Sequence, residues 1–237
     1  MKFLLRLTQC LMLPAAAGLA AYQLMHGELA AALPCLLFPA ALAVPPLTER
    51  LLQRPLPGST RLLMLGFFFG ACVLGEGAGF YVRFPVWDSL LHALSGMLFA
   101  ALGMAALAPE RLSFRGRALA GFCIAVTAGV LWEFAEFAAD RLLLLDMQKD
   151  TLLRGFQSVL LDPAHGNHAF ALRQITRTVI ETADGSRYVL AGYLDPGLTD
   201  TVKDLFVTSL AAGAYALLCC KYQKNFMCLP VESSSKM

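Results

Sequence analysis

Residues 118–140 read ALAGFCIAVTAGVLWEFAEFAAD: fifteen residues without a formal charge, Ala118 to Trp132, run directly into Glu133, Glu136 and Asp140. A helix rises about 1.5 Å per residue, so the charge-free part reaches only about 22 Å. The hydrocarbon layer of a bilayer is about 30 Å thick. If this stretch crosses a membrane, Glu133 and Glu136 enter the apolar layer with it, and Asp140 sits at the interface.

The rest of the chain says that it crosses. Of the 237 residues, 57% are hydrophobic and only 15% are charged, against about 25% charged in a soluble domain. That excludes a disordered chain, a nucleic-acid arm and an ordinary soluble enzyme. The net charge of +2 implies no anionic partner. Five further runs are long and nearly charge-free: Leu7 to Gly27, Leu29 to Thr48, Leu62 to Val82 with only Glu76, Ser89 to Pro109 with only His92, and Leu205 to Cys220. The expectation is an all-α polytopic membrane protein with six transmembrane helices. Lys2 and Arg6 before a small-residue-rich apolar run also fit a signal peptide, but the run is long for one, and a retained span is the favoured reading.

Lys and Arg set the orientation. Eleven of them (Lys2, Arg6, Arg50, Arg54, Arg61, Arg111, Arg115, Arg117, Lys221, Lys224 and Lys236) fall on one side of the six spans, and Arg83 alone in the short connections of the other. Both termini are therefore expected to be cytoplasmic. The expected organisation is two N-terminal helices over 1–60, helices three to five over 61–146, an extracytoplasmic insert over 147–199, the sixth helix over 200–222 and a cytoplasmic tail over 223–237, disordered from Pro230. Within the insert, Leu172 to Glu181, a turn at Ala183-Asp184-Gly185-Ser186, and Arg187 to Tyr193 predict a β-hairpin. Residues 148–171 are ambiguous and leave room for one short helix. The seven cysteines lie outside the insert and read as packing residues rather than a disulfide framework; Cys219-Cys220 also offers an acylation site.

The acids are the candidate functional residues. In this topology Glu76, Asp88, His92, Glu133, Glu136, Asp140, Asp200 and Asp204 all fall in the outer half of the membrane. At about 100° per residue, Glu133, Glu136 and Asp140 lie within roughly 60° of one another. Asp88 and His92 are one turn apart, as are Asp200 and Asp204. The same stripes continue in Ser95, Gly96, Gly103, Gly129, Thr208, Ala211 and Ala212, and small residues let helices approach closely. Seven carboxylates meet at best Lys203, Arg83 and Arg141. Like charges at low dielectric do not all stay ionised, so protons, a bound metal or a cationic ligand must compensate. Asp88, His92, Glu133, Glu136 and Asp204 are the candidate metal ligands; oxygens with one imidazole suit Mn²⁺, Zn²⁺ or Fe²⁺, and oxygens alone Mg²⁺ or Ca²⁺. The plainer reading keeps Asp140 and Asp200 at the interface, Asp200 as a helix cap, Glu76 on a partly unwound glycine-rich end facing water, and His165 and His168 in an exposed loop.

Three stretches resemble the YjdF-like family of bacterial membrane-spanning proteins, a domain of unknown function: Trp87-Asp88-Ser89-Leu90-Leu91-His92 with Ser95-Gly96; Gly129 to Phe137 with Asp140; and Gly192-Tyr193-Leu194-Asp195 followed by Gly197 to Thr201 and Lys203-Asp204-Leu205. The long insert resembles the Gram-positive-type branch. The resemblance implies a multi-pass protein of the bacterial plasma membrane and supplies no reaction. Phosphate loops, nucleotide fingerprints, Ser-His-Asp arrangements and cysteine metal motifs are not found. Three classes stay open: a membrane-embedded enzyme acting at the outer leaflet, with the acids and His92 binding a cation or a lipid-linked head group for metal-assisted or general acid–base chemistry; a proton- or ion-coupled transporter; and a structural, sensor or assembly protein. Membrane lipids are the expected partners, nucleic acid is not one, and oligomeric state is unread.

Overall fold

The computed structural model describes residues 2–227, with side chains from Leu7 onward. Cys228 and the tail expected to be disordered from Pro230 lie outside the described residues. The chain is mostly helical, and it divides into two compact units, Met1–Leu131 with Asp204–Met237, and Trp132–Lys203.

The first unit begins with α1 (Lys2–Met25), which packs on α2 (Leu29–Ala41). The Pro45-Pro46 pair opens α3 (Val44–Leu52), and proline disfavours helical geometry in the residue before it; α2 and α3 meet at a 43° bend. The next helix, α4 (Gly58–Phe68), continues as a π-helix over Phe69–Gly77. Its glycines admit close neighbours: a Cβ on Gly75 would collide with the Tyr81 ring, and one on Gly77 with the Cys35 sulfur. The chain then turns through Gly79 at φ 70° into the single turn α5 (Phe80–Arg83). The Trp87 indole at the start of α6 (Trp87–Ala106) donates to the Gly70 carbonyl at 3.1 Å and ties the two helices.

The remaining helices are α7 (Phe114–Leu143) and α8 (Leu198–Tyr222). Small residues dominate the core among α4, α6 and the ends of α7 and α8 in this unit: Ala100, Ala101, Ala105, Ala118, Ala125, Ala212 and Ala216 are all buried. Backbones therefore approach closely. A Cβ on Gly121 would lie 2.6 Å from the Ala100 carbonyl oxygen, and one on Gly103 would lie 3.1 Å from the Gly121 Cα. Tyr215, Asn225 and the Ala101 carbonyl form a half-buried hydrogen-bonded latch with the chain beyond α8 (2.6 and 2.9 Å).

Four helices are long and apolar enough to cross a membrane, Gly58–Gly77, Trp87–Ala106, Phe114–Leu143 and Leu198–Tyr222, and the bent α2–α3 pair makes a fifth. The protein is thus multi-pass, with four candidate spans among the described residues, or five if the bent pair is one span. In helix α1 the Gln23 amide donates to the Gly77 carbonyl at 2.5 Å.

The second unit holds three two-stranded antiparallel pairs: β1 (Thr151–Leu153) with β6 (Tyr193–Asp195), β2 (Gly155–Ser158) with β3 (Phe170–Arg173), and β4 (Thr178–Glu181) with β5 (Arg187–Leu190). The hairpin around Asp184-Gly185 is present, in register Glu181↔Arg187, but it is shorter than the sequence suggested. Gln174, at φ 56°, breaks the alternating run. The residues before it belong to β3, and Tyr193 belongs to β6. Residues 148–171 are not a short helix: they supply β1 and β2, with one 3₁₀ turn at Val159–Leu161.

Candidate functional site

Within the first unit, Asp88, His92 and Asp204 converge. His92 Nε2 lies 3.7 Å from Asp88 Oδ1 and 3.9 Å from Asp204 Oδ2. One ligand atom from each of the three residues falls within a 4.8 Å span. Asp204 is 1% exposed and His92 8%, so neither group has bulk water to carry its charge.

Helical spacing delivers the first pair: Asp88 and His92 are i,i+4 on α6. The third member comes from α8, and a glycine makes the approach. A Cβ on Gly96, one turn after His92, would lie 2.6 Å from the Thr208 carbonyl oxygen. On α7, a Cβ on Gly129 would lie 3.1 Å from the Thr208 methyl. Thr208 is thus clasped by glycines of two helices. Its hydroxyl lies 3.4 Å from His92 Nδ1 and 3.4 Å from the His92 carbonyl oxygen. With the hydroxyl proton given to that carbonyl, the hydroxyl oxygen accepts from Nδ1–H. In that arrangement the imidazole carries its proton on Nδ1 and leaves the Nε2 lone pair on the side of the two carboxylates, the usual way an imidazole ligand is oriented. Thr208 was read from sequence only as part of a small-residue stripe; its position one turn after Asp204 was the available signal.

The donor set suits a divalent ion. Two ligand atoms, each about 2.1 Å from a shared metal, lie about 3.0–4.2 Å apart in octahedral or tetrahedral geometry. The 3.7 and 3.9 Å separations from Nε2 fall inside that range and exceed ordinary hydrogen-bond lengths, while the two carboxylate oxygens, within 4.8 Å of each other, would draw together around an ion. Two carboxylates and one imidazole are a three-ligand set of the kind that leaves positions open for water or a further ligand.

The second unit holds the other acids of α7 and the start of α8. Glu133 is 3% exposed and Glu136 is buried; Glu136 Oε1 accepts from the Trp132 indole at 2.8 Å. Asp140 and Asp200 are employed by the backbone. Asp140 accepts from the Met147 and Gln148 amides at 2.6 and 2.9 Å, and Asp200 from the Lys149 amide at 2.8 Å and the Lys203 ammonium at 2.6 Å. Gln148 closes this arrangement by donating to the Thr201 hydroxyl at 2.6 Å. Asp195 accepts from the Thr199 amide at 2.8 Å, a negative charge at the amino end of α8. Burial first, and then Asp146, Asp140 and Asp195, push the Asp150 carboxyl above its usual range. Glu76, in the first unit, is exposed on the π-helical stretch. His168 lies 3.6 Å from Asp162 in the β2–β3 connection.

Compared with known proteins, residues 5–225 match the sequence profile of a family described as "Predicted membrane protein (DUF2238)". That bears out the membrane-spanning family of unknown function that the three motifs implied. An uncharacterized protein of Thermotoga maritima is 29% identical over 98 residues, covering 40% of this chain and 51% of its own length. The chain therefore spans about half of that relative. No solved structure matches.

Proposed function

We propose that this chain, which belongs to the DUF2238 family of predicted membrane proteins, binds a divalent cation through Asp88, His92 and Asp204 in the outer half of its helix bundle. The observation that carries the reading is the convergence of Nε2 and two carboxylates within 4.8 Å, at a place where water does not compensate charge. Mn²⁺, Zn²⁺ and Fe²⁺ fit the mixed donor set best. Asp88 and Asp204 supply the two negative charges that match a divalent ion, and Thr208 holds His92 in the ligating tautomer. A bound ion would supply Lewis-acid chemistry toward a hydroxylated or phosphorylated head group at the outer leaflet. The proposal includes the topology behind that depth: six spans, both termini cytoplasmic, in the bacterial plasma membrane.

A second reading has its own support. Protonated His92 between Asp88 and Asp204 is also a buried ion triad, which would serve helix packing alone. The test is thermal melting of the detergent-purified protein with and without Mn²⁺, Zn²⁺ or Mg²⁺, for the wild type and for Asp204→Asn. Cation binding predicts metal-dependent stabilisation that Asp204→Asn abolishes. A purely structural triad predicts no metal response and an intrinsic loss of stability in the variant. Labelling of cysteines introduced at Asp184 and near the C-terminus reads the topology; a protected site at Asp184 or an outward C-terminus contradicts it.

A further inference from the structure

The β2–β3 hairpin carries an apolar tip with no protein to cover it. Its strands pair only with each other, and an isolated two-stranded hairpin is marginally stable in water. At the tip, the 3₁₀ turn exposes Leu160 at 92%, with Val159 and Phe170 at 43% and 45% beside it. A solvated tip gains nothing from three large apolar side chains.

The charge pattern says what could cover it. Residues 154–177 contain Arg154, Arg173 and Arg177, all exposed, against a single acid, Asp162. Asp162 is buried, and its carboxylate is turned inward, accepting from the Ala164 and Gly166 amides at 3.0 Å each. The rest of the unit, 132–203, holds nine acids against four Lys and Arg. Residues 154–177 are therefore the one basic stretch of an otherwise acidic unit, with Arg154 and Arg173 at the open end of the hairpin, where Gly155 pairs with Arg173, and Arg177 just beyond it. An apolar tip with arginines behind it suits an anionic lipid surface: the tip enters the headgroup boundary, and the guanidinium groups at the base of the hairpin face the phosphates from above.

The chain also keeps such a surface close. Helix α7 is long and apolar enough to span a bilayer, and its apolar exterior continues past its end. Leu142 and Leu143 at its end and Leu144 just past it are 79%, 66% and 88% exposed, in the chain that leads to β1. We propose that the tip of the β2–β3 hairpin is an interfacial anchor, seated in the outer headgroup layer of an anionic bilayer. This inference rests on the topology proposed above, with α7 crossing outward, and is independent of the cation site.

Leu160→Trp in the full-length protein tests it, since a side chain this exposed can be replaced without disturbing the fold. The variant and the wild type are reconstituted in phosphatidylglycerol-containing vesicles and in vesicles of phosphatidylcholine alone. Spin-labelled lipids with the quencher at a shallow position are then added. The expected result is extra, blue-shifted emission from the variant, quenched by the shallow label, and more strongly so in the anionic vesicles. Ser186→Trp, on the other hairpin, is the comparison and should remain unquenched. Unshifted emission at Leu160→Trp with no quenching overturns the proposal. So does a blue shift that ignores the lipid label, which would place a second copy or another protein over the tip.

Discussion

Gly96→Ala should uncouple cation binding from folding. The added Cβ would lie 2.6 Å from the Thr208 carbonyl oxygen, where ordinary contact begins near 3.4 Å, so α6 and α8 must separate by the difference, 0.8 Å. His92 precedes Gly96 by one turn, and Asp204 precedes Thr208 by one turn, so the ligand pair opens with the contact. Ligand positions for a metal tolerate only about 0.2 Å. A displacement several times larger removes a ligand's contribution, and the loss expected is about 10–100-fold in affinity, or roughly 1.4–2.7 kcal/mol. The metal-free protein suffers less. Overpacking costs roughly 1–3 kcal/mol, and replacing a helical Gly by Ala returns about 0.8–1.0 kcal/mol. Titrating Mn²⁺ or Zn²⁺ calorimetrically into detergent-purified wild type and variant, alongside metal-free melts, measures both quantities. Gly66→Ala is the control, because a Cβ there meets nothing within 4 Å; it should leave binding unchanged and raise stability slightly. Wild-type affinity in Gly96→Ala would refute the claim that this helix contact sets the ligand geometry.

Three further outcomes are expected. Thr208→Val keeps the shape but removes the hydroxyl beside His92 Nδ1; cation affinity should fall about tenfold with the helix content unchanged by circular dichroism. Asp140→Ala strands the Met147 and Gln148 amides, at a cost of about 1–3 kcal/mol, and should speed amide exchange over 146–149 in a hydrogen–deuterium measurement while leaving cation binding intact. Asp184 is held below the usual carboxylate range by hydrogen bonds, first from the Thr182 hydroxyl and then from the Ser186 amide and hydroxyl. A depressed folded-state pKa adds stability above the unfolded value, near 3.8, and loses it as pH falls through the folded value. The β4–β5 turn should therefore stay ordered at mildly acidic pH and loosen below that range, as read from the Ser186 amide resonance.

What the sequence could show followed from local periodicity. The i,i+4 relation of Asp88 and His92, and the small-residue stripe through Gly96 and Thr208, are both readable from helical spacing, and together they specify the contact of α6 with α8. The limits came wherever pairing is distant along the chain. Strand β1 takes its partner from β6, with Thr151 opposite Asp195, and three-residue strands carry too little alternation to be recognised. Asp140 and Asp200 share a stripe with Glu133 and Asp204, yet their carboxylates take backbone amides of the 147–149 segment. Helical angle alone cannot tell a ligand from an anchor. The π-helical stretch at Phe69–Gly77, where Tyr81, Cys35 and Leu19 come close to glycines, also escaped the pattern, because such tertiary contacts leave no periodicity in the sequence.

The most direct test of the central claim is the metal content of the full-length protein, purified without chelator, dialysed against a mixture of Mn²⁺, Zn²⁺ and Mg²⁺, and measured by inductively coupled plasma mass spectrometry beside Asp204→Asn and His92→Gln. The account predicts a stoichiometric divalent ion in the wild type, Mn²⁺ or Zn²⁺ in preference to Mg²⁺, and its loss from both variants, each still folded by circular dichroism. Metal-free wild type under these conditions, or variants that retain the ion, would contradict it.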